Sequence, residues 1–184
     1  MTDVNIGILQ GSPISSILFL IYTRYTLSQR SSAGERIMSY IDDIGLVISS
    51  KSIEENCQIL QKLAEDLFLK QGQNCMQFDR DKIELIHFHS KRSLDLENEK
   101  YLVKIREAIF QPKKSIKYLD VWLDSKLSFK THVEKKIASA KKLLIQIERL
   151  SNTEKGLSFQ AMRQLYIACI SSVIDYGVSI WWNN

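Results

Sequence analysis

Residues 39–48 read SYIDDIGLVI, with two adjacent aspartates between two apolar runs. The runs at 37–40 and 44–48 have the composition of β-strands, so the stretch predicts a hairpin with Asp42 and Asp43 at its tip. Asp is also a common turn residue, and an ordinary solvated turn is the plain alternative. Because neighbouring carboxylates disfavour each other's ionised form, and because Mg²⁺ prefers hard oxygen ligands, a pair held on strands points to a divalent cation.

The composition is that of a globular protein. With 184 residues, 45% of them hydrophobic, the chain is long enough for one unit with a real core and a small appended subdomain. The apolar stretch at 17–22 is too short to span a bilayer and no signal peptide is visible, so we expect no membrane and an intracellular location. Cys57, Cys75 and Cys169 form no C-x-x-C motif, which predicts a reducing compartment and no disulfide partner.

The positive charge of the chain is concentrated in one segment. Residues 126–149 contain seven basic and two acidic residues, a net charge of +5, and the remaining residues together carry −1. Lysines on an exposed helix face often serve solubility alone. A strip that holds the entire excess charge is also what a polyanion such as nucleic acid would contact.

Helical patterns alternate with strand patterns in the first two thirds of the chain. After QGSP at 10–13, Ser12 suits an N-cap and Pro13 the first position of a helix over 13–27, which is apolar nearly all round and is therefore predicted to be buried. Ser52 and Glu55 form a capping box for the next helix, with Gly72 as its predicted C-cap.

Further along the chain, residues 76–78 and 83–88 predict a strand pair around the DRDK sequence, and 101–110 and 116–124 predict two more strands. A capping box at Thr131 and Glu134 opens a helix, and another helix is expected over 158–174. The first of these helices has a predicted apolar stripe formed by Val133, Ile137, Ala140, Leu144, Ile147 and Leu150. The whole pattern predicts an α+β fold, with a change to basic helices near residue 127.

The order of five motifs carries more information than any one of them. They read GILQGSPISSILFLIY at 7–22, YIDDIGLVI at 40–48, FDRDKIELIHF at 78–88, KYLDVWLDSKLSFKTH at 117–132 and DYGVSIWW at 175–182. In this order they closely resemble the reverse transcriptases of non-long-terminal-repeat (LINE-like) retrotransposons. The resemblance extends over residues 6–182, and its most specific part is the Tyr-x-Asp-Asp box.

The resemblance implies an α+β fold with part of a right-hand polymerase palm, an antiparallel sheet backed by helices, over residues 1–126. A helical, thumb-like region would follow over 127–184. Asp42 would be the stronger and Asp43 the lesser ligand of Mg²⁺, with two ions in the complete enzyme acting by the two-metal scheme. The implied partners are an RNA template, a DNA primer and deoxynucleoside triphosphates, in the nucleus or the cytoplasm.

The resemblance also assigns roles to other residues. Lys82 would act as a general acid for the pyrophosphate. The residues matched to the template base and incoming nucleotide are Gln10, Gly11, Ser12, Pro13 and Tyr40. Those matched to the primer grip, a hairpin that positions the primer end, are Tyr118, Leu119 and Trp122. The lysines matched to duplex phosphates are Lys135, Lys136 and Lys142.

The sequence departs from the family pattern at five positions. The family usually has Pro at 9 and 16, Ala at 41, Thr at 83 and Gly at 120, where this chain has Leu9, Ser16, Ile41, Ile83 and Asp120. Asp120 is the most consequential departure, because a carboxylate replaces a residue that often needs no side chain at the grip hairpin.

A palm of this type also uses a third carboxylate from a strand well upstream of QGSP, and Asp3 is too close to Gly11 to occupy that strand. The expectation is therefore a truncated polymerase that is inactive by itself. A non-catalytic nucleic-acid-binding remnant of a retroelement is the alternative, and an α+β domain without either function is the third. Within the enzyme class, a group II intron or telomerase-type polymerase is the runner-up.

Overall fold

Helices and short antiparallel β-ribbons make up the protein, as the predicted α+β class requires. The computed structural model describes residues 11–27, 34–73, 78–90, 101–151 and 156–182, without the side chains of 25–27 and 71–73. The chain divides into two compact units, Met1–Leu85 with Leu94–Pro112 and Ile86–Ser93 with Lys113–Asn184. The assignment of palm and thumb to residues 1–126 and 127–184 stays a prediction.

Helix α1, Pro13–Leu27, has the predicted bounds. The Ser12 carbonyl accepts the Ser15 N–H at 3.1 Å, and its hydroxyl accepts the Ile14 N–H at 3.4 Å, so Ser12 is the N-cap. The prediction that this helix is buried is wrong, since Ile14 is 60% and Ile21 66% exposed. A helix that is apolar all round is buried only where other elements surround it, and the described residues cover a small part of its circumference.

The aspartate hairpin forms as predicted. Strands β1, Glu35–Tyr40, and β2, Asp43–Ile48, pair antiparallel from Glu35 opposite Ile48 to Tyr40 opposite Asp43. One ribbon face packs on the core through Leu46, and the opposite face is exposed.

Helix α2, Ile53–Gln73, supplies most of the core of the first unit. Its capping box is present in modified form, because the Ser52 hydroxyl accepts the Glu55 N–H at 3.1 Å while the Glu55 carboxylate accepts the N–H of Lys51. The predicted C-cap at Gly72 is wrong, since the helix continues to Gln73. The buried core residues are Cys57, Ala64, Leu85, Val103 and Ile105.

Two strand predictions beyond α2 are wrong in the described residues. Residues 80–82 form a 3-10 turn capped by Asp79, and only Leu85 makes a bridge, to Pro112. Proline has no N–H to extend such a ladder, which explains why the bridge stays isolated. Residues 76 and 77 lie outside the described part. The strand predicted at 101–110 is instead a hairpin of β3, Val103–Ile105, and β4, Ala108–Phe110.

The second unit combines a hairpin with helices. The pattern at 116–124 predicted one strand, but β5, Ser115–Tyr118, and β6, Val121–Asp124, form the hairpin that the family resemblance implies. Helix α3, Lys130–Ser151, begins before Thr131, so the capping box predicted there is wrong. Ala140 and Ile147 of α3 pack on Ile170 in the core of this unit.

The expected helix over 158–174 is present in three successive parts. They are α4, Phe159–Leu165, a π-helical stretch, Tyr166–Ser171, and α5, Ser172–Ile174. The Ser158 hydroxyl caps α4 by accepting the Ala161 N–H at 3.3 Å. A short helix α6, Val178–Trp181, follows. No helix in the described part of the chain is both long and apolar enough to cross a membrane.

Candidate functional site

The tip of the β1–β2 hairpin is a two-residue turn. Tyr40 and Asp43 are the last paired residues, and Ile41 and Asp42 connect them. Ile41 has a φ of 55° and Asp42 has no positive φ, the φ pattern of a type II′ turn. Such a turn usually has glycine at its first central position, so the branched Ile41 is held in a strained conformation.

The two faces of this ribbon differ in chemistry. Because side chains alternate along a strand, Ile37 and Ile44 share the inner, half-buried face with Leu46. Tyr40 and Asp43 lie opposite each other on the outer face and are exposed. The remaining exposed residues of the outer face are Arg36, Met38 and Val47. The hairpin thus presents a carboxylate and a phenol on a face that the core of this unit does not cover.

The Asp42 and Asp43 side chains are exposed, and no other described residue forms a hydrogen bond or ion pair with either carboxylate. Within the described ranges, no group of three or more His, Cys, Asp or Glu side chains comes close enough to hold a metal ion. Two free carboxylates fit Mg²⁺, which is commonly bound by one or two carboxylates together with phosphates and water. The pair therefore suits part of a magnesium coordination shell.

The QGSP block lies at the start of α1, and Gln10 falls outside the described residues. Gly11 has a φ of 88°, which favours glycine, and a Cβ added there would meet no atom of the described residues within 4 Å. Pro13 is exposed. The described residues therefore leave the position of a Gly11 side chain open, and the predicted contact with a nucleotide or template base stays a prediction.

Lys82 ends the 3-10 turn with its side chain 83% exposed. Its Nζ lies 3.3 Å from the Asp79 carboxylate, and Asp79 also accepts the Asp81 N–H. Among the described residues, nothing joins Lys82 to Asp42 or Asp43 by a hydrogen bond or an ion pair. The general-acid role of Lys82 therefore has no supporting contact in this structure.

The tip of the β5–β6 hairpin explains how aspartate replaces the usual glycine at position 120. Tyr118 pairs with Val121, and the two residues between them, Leu119 and Asp120, have φ values of 46° and 64°. Positive φ at both positions is the pattern of a type I′ turn, and Asp is among the side chains that tolerate it. The Asp120 carboxylate pairs with the Lys117 ammonium, and this hydrogen bond lowers the pKa of Asp120 and raises that of Lys117.

The β5–β6 hairpin is fastened to the rest of its unit at two points. The Tyr176 hydroxyl donates to the Leu119 carbonyl at 2.9 Å, and the Trp122 N–H donates to Nδ1 of His132 at 3.2 Å. Leu119 and Trp122 are two of the three residues predicted for the primer grip. Their partners, Tyr176 and His132, were not predicted as site residues. Both nevertheless lie within motifs that carry the resemblance: His132 is the last residue of the motif at 117–132, and Tyr176 is the second residue of the motif at 175–182.

His132 is completely buried, with its ring 5.8 Å from that of Trp181. Nε2 is buried without a hydrogen-bond partner of standard geometry among the described residues. Burial and, secondarily, the Lys136 ammonium lower the pKa of His132, while the Tyr176 carbonyl opposes the shift. The imidazole is therefore neutral near pH 7, with Nδ1 accepting from Trp122.

The lysines predicted to contact duplex phosphates lie on different faces of α3. Lys135 and Lys142 are seven residues apart, so they lie about 10 Å apart on one exposed face, which continues to Arg149. Lys136 is half-buried, with its Nζ 4.3 Å from the centre of the Tyr176 ring. Lys135 also lies over an aromatic ring, 5.3 Å from the centre of Trp122.

The predicted apolar stripe of α3 is only partly correct. Ala140 and Ile147 are buried as expected, but Ile137 and Leu144 are exposed by 44% and 49%, and Leu150 is exposed as well. His132 and Lys136 lie on the packed side in their place. Hydrophobicity alone did not identify the packed side, because two of its residues are polar or charged and meet aromatic rings.

Comparison with known proteins gives one informative similarity. The chain is 24% identical over 182 residues, 95% of its length, to a Drosophila melanogaster protein described as "Probable RNA-directed DNA polymerase from transposon BS". The resemblance to a transposon reverse transcriptase is therefore confirmed. The chain spans 20% of the length of that relative. No protein-family model matches the chain. No solved structure matches it either.

Proposed function

We propose that the chain is the palm-and-thumb portion of a reverse transcriptase of the non-long-terminal-repeat retrotransposon type. The hairpin tip carries this proposal, because Asp43 lies there beside Tyr40 on the exposed face of the ribbon and Asp42 lies in the adjoining turn, neither with a described partner. The similarity to a transposon polymerase over 95% of the chain supports it. The proposed partners are an RNA template, a DNA primer and deoxynucleoside triphosphates. The proposed location of the protein is intracellular, in the nucleus or the cytoplasm.

In this proposal the β1–β2 hairpin holds the two metal-binding carboxylates, Asp42 and Asp43, in fixed orientations. Asp43 is fixed by its strand pairing with Tyr40, and Asp42 by its place in the tight turn after Ile41. Two magnesium ions, when bound, would activate the primer hydroxyl and neutralise charge on the departing pyrophosphate. The protein contributes orientation, because a strand end and a tight turn hold both carboxylates at the exposed end of the ribbon.

The other predicted residues take supporting roles. The open backbone at Gly11 allows close approach of a nucleotide, and the N-terminus of the 15-residue helix α1 favours negative charge. Lys82 would leave Asp79 to donate a proton to pyrophosphate. The proposed primer-grip residues are Tyr118, Leu119 and Trp122, and the proposed duplex contacts are Lys135, Lys136 and Lys142. Of these, Lys136 contacts the Tyr176 ring in this structure.

The 184 residues by themselves are proposed to bind a primer–template without extending it. The described residues offer two carboxylates at the hairpin and no group of three metal-ligating side chains. A two-metal site needs more ligands than this pair provides. A polypeptide of this sequence should therefore retain affinity for nucleic acid while it lacks synthesis.

A primer-extension assay with the purified 184-residue chain tests this proposal. The expected result is salt-sensitive binding of a DNA primer on an RNA template, with no extension beyond that seen with Asp42→Ala. Robust Mg²⁺-dependent synthesis that Asp42→Ala abolishes would contradict the proposed inactivity. Absence of salt-sensitive binding would contradict the polymerase assignment itself.

A non-catalytic nucleic-acid-binding remnant of a retroelement is the second candidate. The exposed row of Lys135, Lys142 and Arg149 favours it, because duplex binding through these residues needs no metal. The two candidates differ in magnesium chemistry. A titration that detects Mg²⁺ at Asp42 and Asp43 supports the polymerase palm, whereas binding of nucleic acid without any metal response supports the remnant.

A further inference from the structure

We propose that Tyr176 is a positioning residue that locks the tip of the β5–β6 hairpin to helix α3, so that the hairpin presents one fixed surface to a primer end. This inference rests on the proposed function, because the primer-gripping role of the hairpin is itself proposed. Three contacts of Tyr176, all within the second unit, carry it.

The hydroxyl of Tyr176 holds the turn at its first loop residue. It donates to the Leu119 carbonyl at 2.9 Å, across 57 residues of sequence. Leu119 has a φ of 46°, a conformation that is unfavourable for leucine. This strain favours a change of the turn to another backbone conformation. A hydrogen bond to the Leu119 carbonyl opposes that change.

The ring of Tyr176 meets the basic helix. The Lys136 ammonium lies 4.3 Å from the ring centre, within the range of a cation–π contact. The Tyr176 carbonyl accepts the indole N–H of Trp181 at 2.9 Å, which fixes the backbone of the terminal segment. One residue therefore connects the hairpin tip, α3 and α6.

The neighbouring glycine permits this arrangement. Gly177 has a φ of 67°, and a Cβ added there would lie 3.3 Å from Cγ2 of Val121 in strand β6. The chain after Tyr176 thus approaches the hairpin closely and turns in a conformation that suits glycine. A side chain at position 177 would press against the strand that Tyr176 helps to position.

A second anchor prevents the hairpin from pivoting about the first. The Trp122 N–H donates to His132 of α3, and Trp122 lies three residues beyond Leu119. Movement of the tip relative to α3 therefore has to break the Trp122–His132 hydrogen bond or one of the contacts of Tyr176 with Leu119 and Lys136. The residues proposed to grip the primer therefore keep a fixed position relative to Lys135 and Lys142, which lie on α3 as His132 does.

The test compares Tyr176→Phe with Tyr166→Phe in the full chain. Both substitutions remove one hydroxyl from a half-exposed tyrosine, 43% and 48% exposed, and Tyr176→Phe keeps the ring that Lys136 contacts. The measurement is the ratio of dissociation constants for a blunt RNA–DNA duplex and a duplex with a recessed primer 3′ end. The NMR amide signal of Asp120, whose peptide group includes the Leu119 carbonyl, reports the tip directly.

We expect the wild-type chain to prefer the recessed primer end. Tyr176→Phe should reduce that preference about fivefold, the factor that one hydrogen bond of ordinary strength represents, while Tyr166→Phe retains it. The Asp120 signal should shift in Tyr176→Phe alone, with the thermal midpoint of both variants close to that of wild type.

The other possible results distinguish failure of the positioning role of Tyr176 from failure of the proposed primer-gripping role of the hairpin. If the wild type discriminates between the duplexes and Tyr176→Phe discriminates equally well, the positioning role is wrong while the proposed function stands. If the wild type binds neither duplex, or binds both equally, the gripping role fails and the inference fails with it. An unchanged Asp120 signal in Tyr176→Phe also overturns the inference, whatever the affinities.

Discussion

Asp43 lies directly opposite Tyr40 in the last pair of the β1–β2 hairpin, and both side chains occupy the exposed face of the ribbon. Asp42 precedes Asp43 in the turn, so both carboxylates stand at the end of a paired structure. Neither carboxylate has a partner among the described residues, so both are available to a cation. This relation is the basis of the proposed magnesium chemistry.

The strained turn beside the carboxylates should respond to glycine. Ile41→Gly removes a branched residue from a φ of 55°, a conformation that costs an L-residue about 1–2 kcal/mol. The loss of a half-buried side chain offsets part of this relief, so we expect a net gain of at most about 1 kcal/mol in local stability. Amide hydrogen exchange of the β1–β2 hairpin should slow accordingly.

Ile44→Gly is the matched control in the same ribbon. Ile44 lies half-buried on the inner face and has no positive φ, so its replacement removes packing without relieving strain. Exchange should become faster in this variant. Faster exchange in Ile41→Gly as well would contradict the strained turn.

The tip of the β5–β6 hairpin should distinguish glycine from alanine at position 120. Both substitutions remove the carboxylate that pairs with Lys117, but only glycine adopts a φ of 64° without strain. Asp120→Gly should therefore be more stable than Asp120→Ala by about 1 kcal/mol, measured by urea unfolding. Equal stability of the two variants would show that the type I′ turn does not form.

Sequence patterns identified this hairpin and the aspartate hairpin for different reasons. The β1–β2 ribbon followed from two apolar runs around a polar pair, a local signal that needs no tertiary context. The stretch 116–124 has strand composition throughout, and only the family resemblance implied a hairpin there; its turn at Leu119 and Asp120 is a finding of the structure. Leucine is an unusual residue at positive φ, and the pair Leu119–Asp120 is not one of the glycine-containing dipeptides that signal a type I′ turn, so the local sequence did not indicate this turn.

Stability of the second unit should fall in mild acid because of His132. Burial lowers the pKa of His132 below its ordinary value of 6.5, so the unfolded chain binds more protons than the folded chain as the pH falls through 6.5. The contribution of the neutral imidazole is complete above that pH and is lost below it. All three tryptophans, Trp122, Trp181 and Trp182, lie in this unit, so their fluorescence reports its unfolding.

The expected result is a lower urea midpoint at about pH 5.5 than at about pH 7.5, and a smaller difference in His132→Gln. Asp120 and Asp124 also have lowered pKa values, but their contributions are lost only as the pH falls through the ordinary carboxyl value of 3.8, outside this window. A wild-type midpoint that stays constant over this range would contradict a buried, neutral His132.

The basic face of α3 should determine the salt dependence of duplex binding. Lys142 has Lys135 and Arg149 seven residues away on either side, whereas Lys141 has Glu134 and Glu148 in the same positions. Lys142→Gln should reduce the slope of log affinity against log salt concentration by about 0.7–0.9, the value for one phosphate contact. Lys141→Gln, the control with the same charge change, should leave the slope nearly unchanged. Equal effects of the two substitutions would show that net charge alone drives binding.

Tertiary context explains what the sequence did not reveal about α1 and α3. Helix α1 has the predicted bounds, because Ser12 and Pro13 are local signals, but its exposure depends on what surrounds it. In α3 the packed side includes His132 and Lys136, which a hydrophobic pattern cannot select. Their aromatic partners, Trp181 and Tyr176, lie some 40 to 50 residues away in sequence, so no local pattern indicates the contacts.

Magnesium binding at the aspartate hairpin tests the central claim most directly. In an NMR titration of the full chain with Mg²⁺, we predict saturable shifts of the Asp42 and Asp43 signals that disappear in Asp42→Asn. Asp120→Asn serves as the control, because its carboxylate is engaged by Lys117, and it should leave the titration unchanged. Shifts spread evenly over all exposed carboxylates, or no saturable shift at Asp42 and Asp43, would contradict the proposed metal site.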